Sequence, residues 1–517
     1  MPPLVLFALS FGLLFFVRRY LAYRQAVSAI NHHPGIIVLL SPASILGNVL
    51  PRINYLCPGG NALFVDKYKP FEEAGCDVVS TSALLPLRVA LDIADAALIK
   101  EITSSRARFP KPVHYYDVLT FFGRNIIASE GEEWKKYRKI SAPAFSDRNN
   151  ALVWSESVKT VKEMFTDLWK DGDVITVDHC VDITLPIALF IIGAAGFGRH
   201  ISWKEDVVVP EGYTMPFKDA LHTVANDTYI KVLIPESLLG VTKRTRTSRD
   251  AFADLRNYMA SMIHERQNSE KVERHDLFSS LLEANHDALG NGVLTESELI
   301  GNIYIFLLAG HETTAHTLCF TFALLALYPD EQEKLYQHIR ETVADGEEPT
   351  YEQMPLLTYS NAVFYETLRM FPPVTGIPKI TIEDTSLTTQ NANGKSVTIP
   401  VPKGTDLTID TAALHYNPRY WKDPHQFDPS RFLENDWPRD AFLPFSAGAR
   451  ACIGRKFFET EGIAILTLLV RNFKITVKDE PKFANETFEQ RKARILDSKG
   501  GVTLTPKRVP LTFTRRK

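Results

Sequence analysis

Residues 444–454 read Pro-Phe-Ser-Ala-Gly-Ala-Arg-Ala-Cys-Ile-Gly, and no other segment narrows the possible folds of this chain as far. Cys452 stands between two glycines, Gly448 and Gly454, with Arg450 two residues before it and Phe445 seven before it. Each spacing has a physical use. Glycine at 448 lets the backbone turn where a Cβ would clash, and glycine at 454 lets a following helix approach a flat ligand. Arg450 offers a rigid fork of donors to a carboxylate. Phe445 covers the sulfur and keeps water off it. A lone cysteine is ordinarily a small, inert core residue. The pattern F-x-x-G-x-R-x-C-x-G, however, arises by accident in on the order of one in ten thousand chains of this length. A thiolate presented in this way suits axial ligation of haem iron.

Three further constellations precede it. Trp134 and Arg138, at i and i+4, share one helix face; an ordinary amphipathic surface helix would also carry them. Ile303–Leu308 is apolar on all sides, so its helix runs through the core. Ala309-Gly310-His311-Glu312-Thr313-Thr314 follows, and polar groups inside a buried helix are costly unless they serve something. Threonines bonding back to the preceding turn would explain that segment equally well. Glu366 and Arg369 are opposite charges at i and i+3. Exposed, such a pair is weak. The flanking Val363, Phe364, Leu368 and Phe371 favour a buried pair, which needs a third partner.

In this order the four motifs resemble those of the cytochrome P-450 family, with the resemblance spanning roughly residues 80 to 510. It implies a mainly α fold with a small β-sheet region (α+β), in which haem b lies between a long central helix and the Cys452 loop. Cys452 is then the axial ligand, and Phe445, Gly448, Gly454, Ala309 and Gly310 shape the cofactor site. Trp134 and Arg138 hold a propionate from one side and Arg450 from the other. The place of a further propionate arginine is taken by Lys379, a point charge without a fork. The Thr313 hydroxyl bonds dioxygen and Glu312 relays protons. Arg431, in Pro429-Ser430-Arg431-Phe432, completes a structural triad with Glu366 and Arg369. Tyr115, Tyr116, Phe121, Phe122, Leu307, Ala309, Val374 and Ile377 line the pocket. These are mainly apolar or aromatic, so a hydrophobic substrate is expected.

The implied activity is that of a monooxygenase inserting one atom of dioxygen into a hydrophobic small molecule. The general style is that of a fungal member, and a terpenoid or similar secondary metabolite is the expected substrate. Electrons come from NADPH through a separate cytochrome P-450 reductase, since no flavin or nicotinamide domain is present. A haem-thiolate isomerase or dehydratase is an alternative; such members typically depart from the acid–threonine pair that Glu312 and Thr313 keep. A membrane-anchored binding protein with a degenerate site is a second, and the intact Phe445–Gly454 loop argues against it.

Bulk properties agree. The chain has 517 residues, 45% of them hydrophobic and 11% aromatic, with net charge −3 and both signs interspersed. Nucleic-acid binding needs a basic face, and Arg515-Arg516-Lys517 reads as a solvated tail. The five cysteines, at 57, 76, 180, 319 and 452, are widely spaced and odd in number, which fits a reducing compartment rather than a disulfide framework. Leu4–Val17 is an apolar or small-residue run followed by Arg18, Arg19 and Arg24. It is short for a span, and with Tyr20–Tyr23 it makes one tilted or interfacial anchor helix. Charges after the run argue against a cleaved signal. Residues 1–30 are therefore expected as a single anchor in the endoplasmic reticulum membrane, and 31–517 as the catalytic domain facing the cytosol. The apolar stretch 36–50 is expected against the membrane. Strands are expected at 88–93, 397–399, 405–409, 473–477 and 511–513. Helices are expected at 151–170, 249–266, 275–284, 296–326, 330–344, 358–370 and 461–470. An aromatic-rich loop at 109–125 and an irregular stretch at 200–240 complete the reading.

Overall fold

The computed structural model describes every residue except 1–2, 45, 48–49, 202, 204–208, 269–275 and 287–292, with backbone alone for 3–9 and 229. Helices dominate, and the expected ones are present. The longest, Glu296–Leu327, runs through the centre. It starts with a capping box: Glu298 N donates to the Thr295 hydroxyl at 3.3 Å, and Thr295 N to the Glu298 carboxylate at 2.8 Å. Its 32 residues give a rod about 48 Å long. Residues 299–308 and 314–325 are buried on every side, as an all-round apolar helix should be.

A five-stranded sheet flanks the helical body. Its spatial order is Gly35–Leu40, Val78–Leu85, Leu87–Ile93, Asp406–Asp410, Gly376–Ile380. The first strand takes up part of the stretch 36–50 that was expected against the membrane. Gly35–Leu40 pairs in parallel with Val78–Leu85, which satisfies its backbone, though Ile37 and Leu39 stay exposed. Residues 45, 48 and 49 of that stretch lie outside the described ones. Phe473–Val477 and Leu511–Arg515 pair with each other and with Val174–Val177. Arg515 ends that strand and pairs with Asp173 at 3.6 Å, and Arg516 pairs with Glu333 at 3.0 Å. Arg515 and Arg516 are thus held by ion pairs where a solvated end was expected, while Lys517 stays exposed.

Two of the longer helices were not legible. Val181–Ile191 packs on the central helix and is apolar almost throughout, so it carries no 3.6-residue period. Phe217–Leu233 replaces the middle of the irregular stretch expected at 200–240; Pro216 and the extended Ile234 bound it. Residues 202 and 204–208 of that stretch are outside the described ones.

The N-terminal helix runs Pro3–Ala29 without a break. Phe11, Leu13, Leu14 and Leu21 expose more than half their surface. Among the described residues no helix is long and apolar enough to cross a membrane. The expected anchor begins at residues 1–2, which are not described.

Candidate active site

The Cys452 loop is built by two left-handed residues. Gly448 has φ +67°, and a Cβ there would lie 2.4 Å from the Thr103 carbonyl oxygen, so glycine is required. Ser446 takes φ +58° without being glycine. Cys452 N then donates to the Phe445 carbonyl at 2.8 Å, and Ala451 N to the Gly448 carbonyl at 3.1 Å. Phe445 is buried edge-on against Phe458. Gly454 precedes helix Arg455–Asn472, and a Cβ there would meet only the Phe145 ring at 3.5 Å. The protein's own packing does not demand glycine at 454.

Cys452 lies deep, and burial pushes its thiol up, with the Gly454 N–H, Arg138 and Arg455 opposing. Yet the residue keeps exposed surface. Both hold together if that surface faces a space inside the fold. The central helix shows the same signature. Ala309 is exposed, and Gly310, Glu312 and Thr313 are partly open, between two fully buried stretches of one helix. Thr313 donates to the Ala309 carbonyl at 2.9 Å and Thr314 to that of Gly310 at 3.2 Å, so both hydroxyls bond back to the preceding turn. Thr314 also reaches Glu461 at 3.2 Å across the interface with the helix after Cys452. Glu312 has a buried Oε2 with no partner, and desolvation pushes its carboxyl up to about 7.

At one edge of the site the expected Trp134, Arg138 and Arg450 come together. Trp134 and Arg138 sit on helix Gly131–Ser141. Arg138 donates to the Ala451 carbonyl at 3.2 Å. Arg450 stacks over the Trp134 ring at 4.3 Å and pairs with Glu130 at 2.7 Å. Three residues not singled out in the sequence join them. Arg106 stacks over the same ring at 4.4 Å and reaches Glu130 at 3.6 Å, and Lys111 lies beside Arg450 and Lys379. Lys379 is only 4% exposed. No local pattern could have flagged Arg106, Lys111 or Glu130, because their partners are up to about 340 positions away. Arg106 Nη1 and Arg450 Nε are buried without partners.

Glu366, Arg369 and Arg431 also meet. Arg369 holds Glu366 through two bonds of 2.7 and 2.8 Å and donates to the carbonyls of His415, Pro424 and Gln426. Arg431 approaches Glu366 at 3.4 Å. Glu366 and Arg369 are fully buried.

The expected pocket residues divide. Tyr116, Phe121 and Ile377 are partly open and Val374 is exposed. Tyr115 is tied to Asp406 by a 3.1 Å hydrogen bond. Phe122 and Leu307 are corrected: both are core residues, Phe122 packed against Tyr304 and Phe252, with essentially no open surface to offer a ligand.

Comparison with known proteins decides what this arrangement belongs to. Residues 87–500 match the family model "Cytochrome P450". This chain is a cytochrome P450. It is 54% identical over 504 residues to cytochrome P450 monooxygenase 124 of Postia placenta, covering 97% of each chain. Cytochrome P450 monooxygenase prx9 of Penicillium rubens is 29% identical, covering 82% of this chain and 79% of its own. Cyclooctat-9-en-7-ol 5-monooxygenase of Streptomyces melanosporofaciens is 28% identical, covering 73% and 78%. The fold matches the crystal structure of the cytochrome P450DA heme domain with a TM-score of 0.74 at 22% identity, over 94% of this chain and 99% of that one. The expected fold class and the fungal kinship hold. The P450 is a haem-thiolate monooxygenase: its family uses protohaem IX with an axial cysteine thiolate. The orphaned guanidinium nitrogens and the open surface at Cys452 and Ala309 fit such a group.

Proposed function

We propose that this P450 oxidises a hydrophobic small molecule, with Cys452 as the iron ligand and Ala309–Thr313 forming the opposite wall. The observation that carries this reading is the open surface of Cys452 and of Ala309, both deep in an otherwise buried fold. When bound, the haem supplies the activation of dioxygen and the insertion of one oxygen atom. The chain's own residues do the rest. The loop carbonyl of Phe445 fixes Cys452 N, and the Phe445 ring shields the sulfur side. Trp134, Arg138, Arg106 and Arg450 hold the propionates, with Lys379 adding a point charge. Ala309 and Gly310 leave room beside the central helix. Glu312, a carboxyl that titrates near neutrality, gives and regains protons, and the Thr313 hydroxyl passes them on.

Electrons come from NADPH through a cytochrome P-450 reductase, and the N-terminal helix holds residues 31–517 on the cytosolic face of the endoplasmic reticulum membrane. The open apolar residues Phe121, Val374 and Ile377 support a hydrophobic substrate of the terpenoid or other secondary-metabolite kind, as does a relative named for cyclooctat-9-en-7-ol.

The carbon monoxide spectrum of the reduced protein is the test. The wild type should show the red-shifted thiolate band and Cys452→Ala should lose it; an unchanged spectrum in the variant sinks the ligand assignment. Thr313→Ala should keep haem but consume several times more NADPH per product when a reductase is supplied. Coupling equal to wild type removes Thr313 from proton delivery. The thiolate band without any NADPH-driven turnover would favour the isomerase alternative.

A further inference from the structure

Arg455 stands outside the propionate seat, yet its surroundings converge on Cys452. It is the first residue of helix Arg455–Asn472, three positions after the cysteine. Its ion pair is with Glu459, one turn further along that helix, and not with Glu130. Its guanidinium lies over the Phe445 ring, 5.0 Å from the centroid, and the Phe445 carbonyl is the group that takes Cys452 N at 2.8 Å.

A half-exposed arginine ordinarily moves through solvent and acts weakly on its neighbours. This one is fixed by a closed triangle. Arg455 Nε donates to Glu459 Oε1 at 2.8 Å, and Nη2 donates to the Tyr365 hydroxyl at 3.0 Å. That hydroxyl donates in turn to the same Glu459 oxygen at 2.5 Å. Tyr365 and Glu459 are both buried, and they come from two packed helices, Thr358–Met370 and Arg455–Asn472. The triangle therefore holds a positive charge at the sulfur side of the loop and a negative one a turn behind it. Both charges reach the sulfur: Arg455 pulls the Cys452 thiol down and Glu459 pushes it up, the arginine by more. The Tyr365 hydrogen bond takes up part of the Glu459 charge, and the N-terminal end of the helix adds a positive partial charge on the same side as Arg455.

An electron entering a haem held by this sulfur adds negative charge beside it. A fixed cation favours the reduced form, a fixed anion opposes it, and a dry surrounding strengthens both. We infer that Arg455 is a positioning residue for electron uptake: acting through Cys452, its charge raises the reduction potential of the bound haem, and Glu459, which tethers it, takes back part of that rise. This rests on the reading that Cys452 ligates the iron.

The haem-loaded full-length protein is titrated with dithionite in the presence of mediator dyes, and the reduction potential is read from the haem spectrum. Arg455→Met should lower the ferrous-to-ferric ratio at a fixed potential about three- to tenfold, a fall of about 30–60 mV for one electron. Arg455→Lys keeps the charge and should stay within about twofold of wild type. Glu459→Gln should move the ratio the other way, up about two- to fivefold. Opposite signs are what a purely structural role does not give, because a loosened loop shifts both variants alike. A potential in Arg455→Met equal to that of wild type overturns the inference, and so do shifts of one sign in Arg455→Met and Glu459→Gln. A fall in Arg455→Lys as large as in Arg455→Met assigns the effect to packing on Phe445 and overturns it too. If Arg455→Met does not hold haem, Glu459→Gln decides: a potential at or below that of wild type sinks the idea. The carbon monoxide spectrum keeps the two readings apart. A wild type without the thiolate band fails the ligand assignment; a wild type with the band and unmoved potentials in the variants fails only this inference.

Discussion

Two charged clusters in this P450 are built from the same residue types and are arranged in opposite ways. Around Glu366, every nitrogen of Arg369 has a partner, three backbone carbonyls take its remaining donors, and Arg431 closes the second side. Around Trp134, five cations share one carboxylate, and Arg106 Nη1 and Arg450 Nε point at nothing. In the first cluster Arg431 Nε makes no hydrogen bond but lies 3.4 Å from the Glu366 carboxylate, so even that donor faces an opposite charge within the protein. The second is complete only with something that the protein does not supply. The difference teaches how to tell a structural network from a binding site when both are buried and rich in arginine: compare the cations with the carboxylates that face them.

Glu366→Gln attacks the closed cluster and should have the largest effect. It leaves Arg369 fully buried without a counter-charge and should cost about 3–5 kcal/mol of stability, read as a fall in the urea midpoint. A loss below about 1 kcal/mol would put the two clusters in the same class. Arg450→Met attacks the open one. The haem-free chain should stay within about 2 kcal/mol of wild type, because Glu130 loses Arg450 but keeps Arg106 as its counter-charge, and the crowding of cations falls by one. The loaded protein should lose haem to apomyoglobin roughly 10–100 times faster. Equal destabilisation with and without haem would mean the cluster is structural after all.

The smallest effect belongs to Glu312. Its carboxyl is raised in the folded chain from the ordinary 4.5 to about 7 by burial. Between those values the folded state holds a proton that the unfolded state has released, so this group's contribution to stability falls as pH rises through the window. Glu312→Gln removes the dependence. Wild type should therefore lose about 1–2 kcal/mol relative to the variant between pH 4.5 and 7, after allowance for its partly open side. Parallel stability curves would show that Glu312 is not desolvated and could not serve as a near-neutral proton carrier.

Sequence reading reached the parts of this protein that are contiguous. The loop 445–454 is a single stretch whose glycine, arginine and cysteine act on one another over a few bonds, so spacing alone exposes it. The central helix declares itself by an all-round apolar run followed by Ala309–Thr314, and Glu366–Arg369 by its apolar flanks. Val181–Ile191 was missed because full burial erases periodicity, and Phe217–Leu233 because prolines and a glycine before it read as loop. Phe122 and Leu307 were placed in the pocket because apolar side chains next to site residues look alike whether they face a cavity or the core.

The sequence by itself determined the family and the reaction class and pointed to Cys452, since each rests on residues close together in the chain. Only the tertiary structure decided what surrounds them. Arg106, Lys111, Glu130, Lys379 and Arg450 come from a loop, a helix cap, a sheet strand and the Cys452 loop itself, and their charge imbalance exists only once those elements are packed. Long-range electrostatics is a property of positions in space, and no motif in the chain announces it.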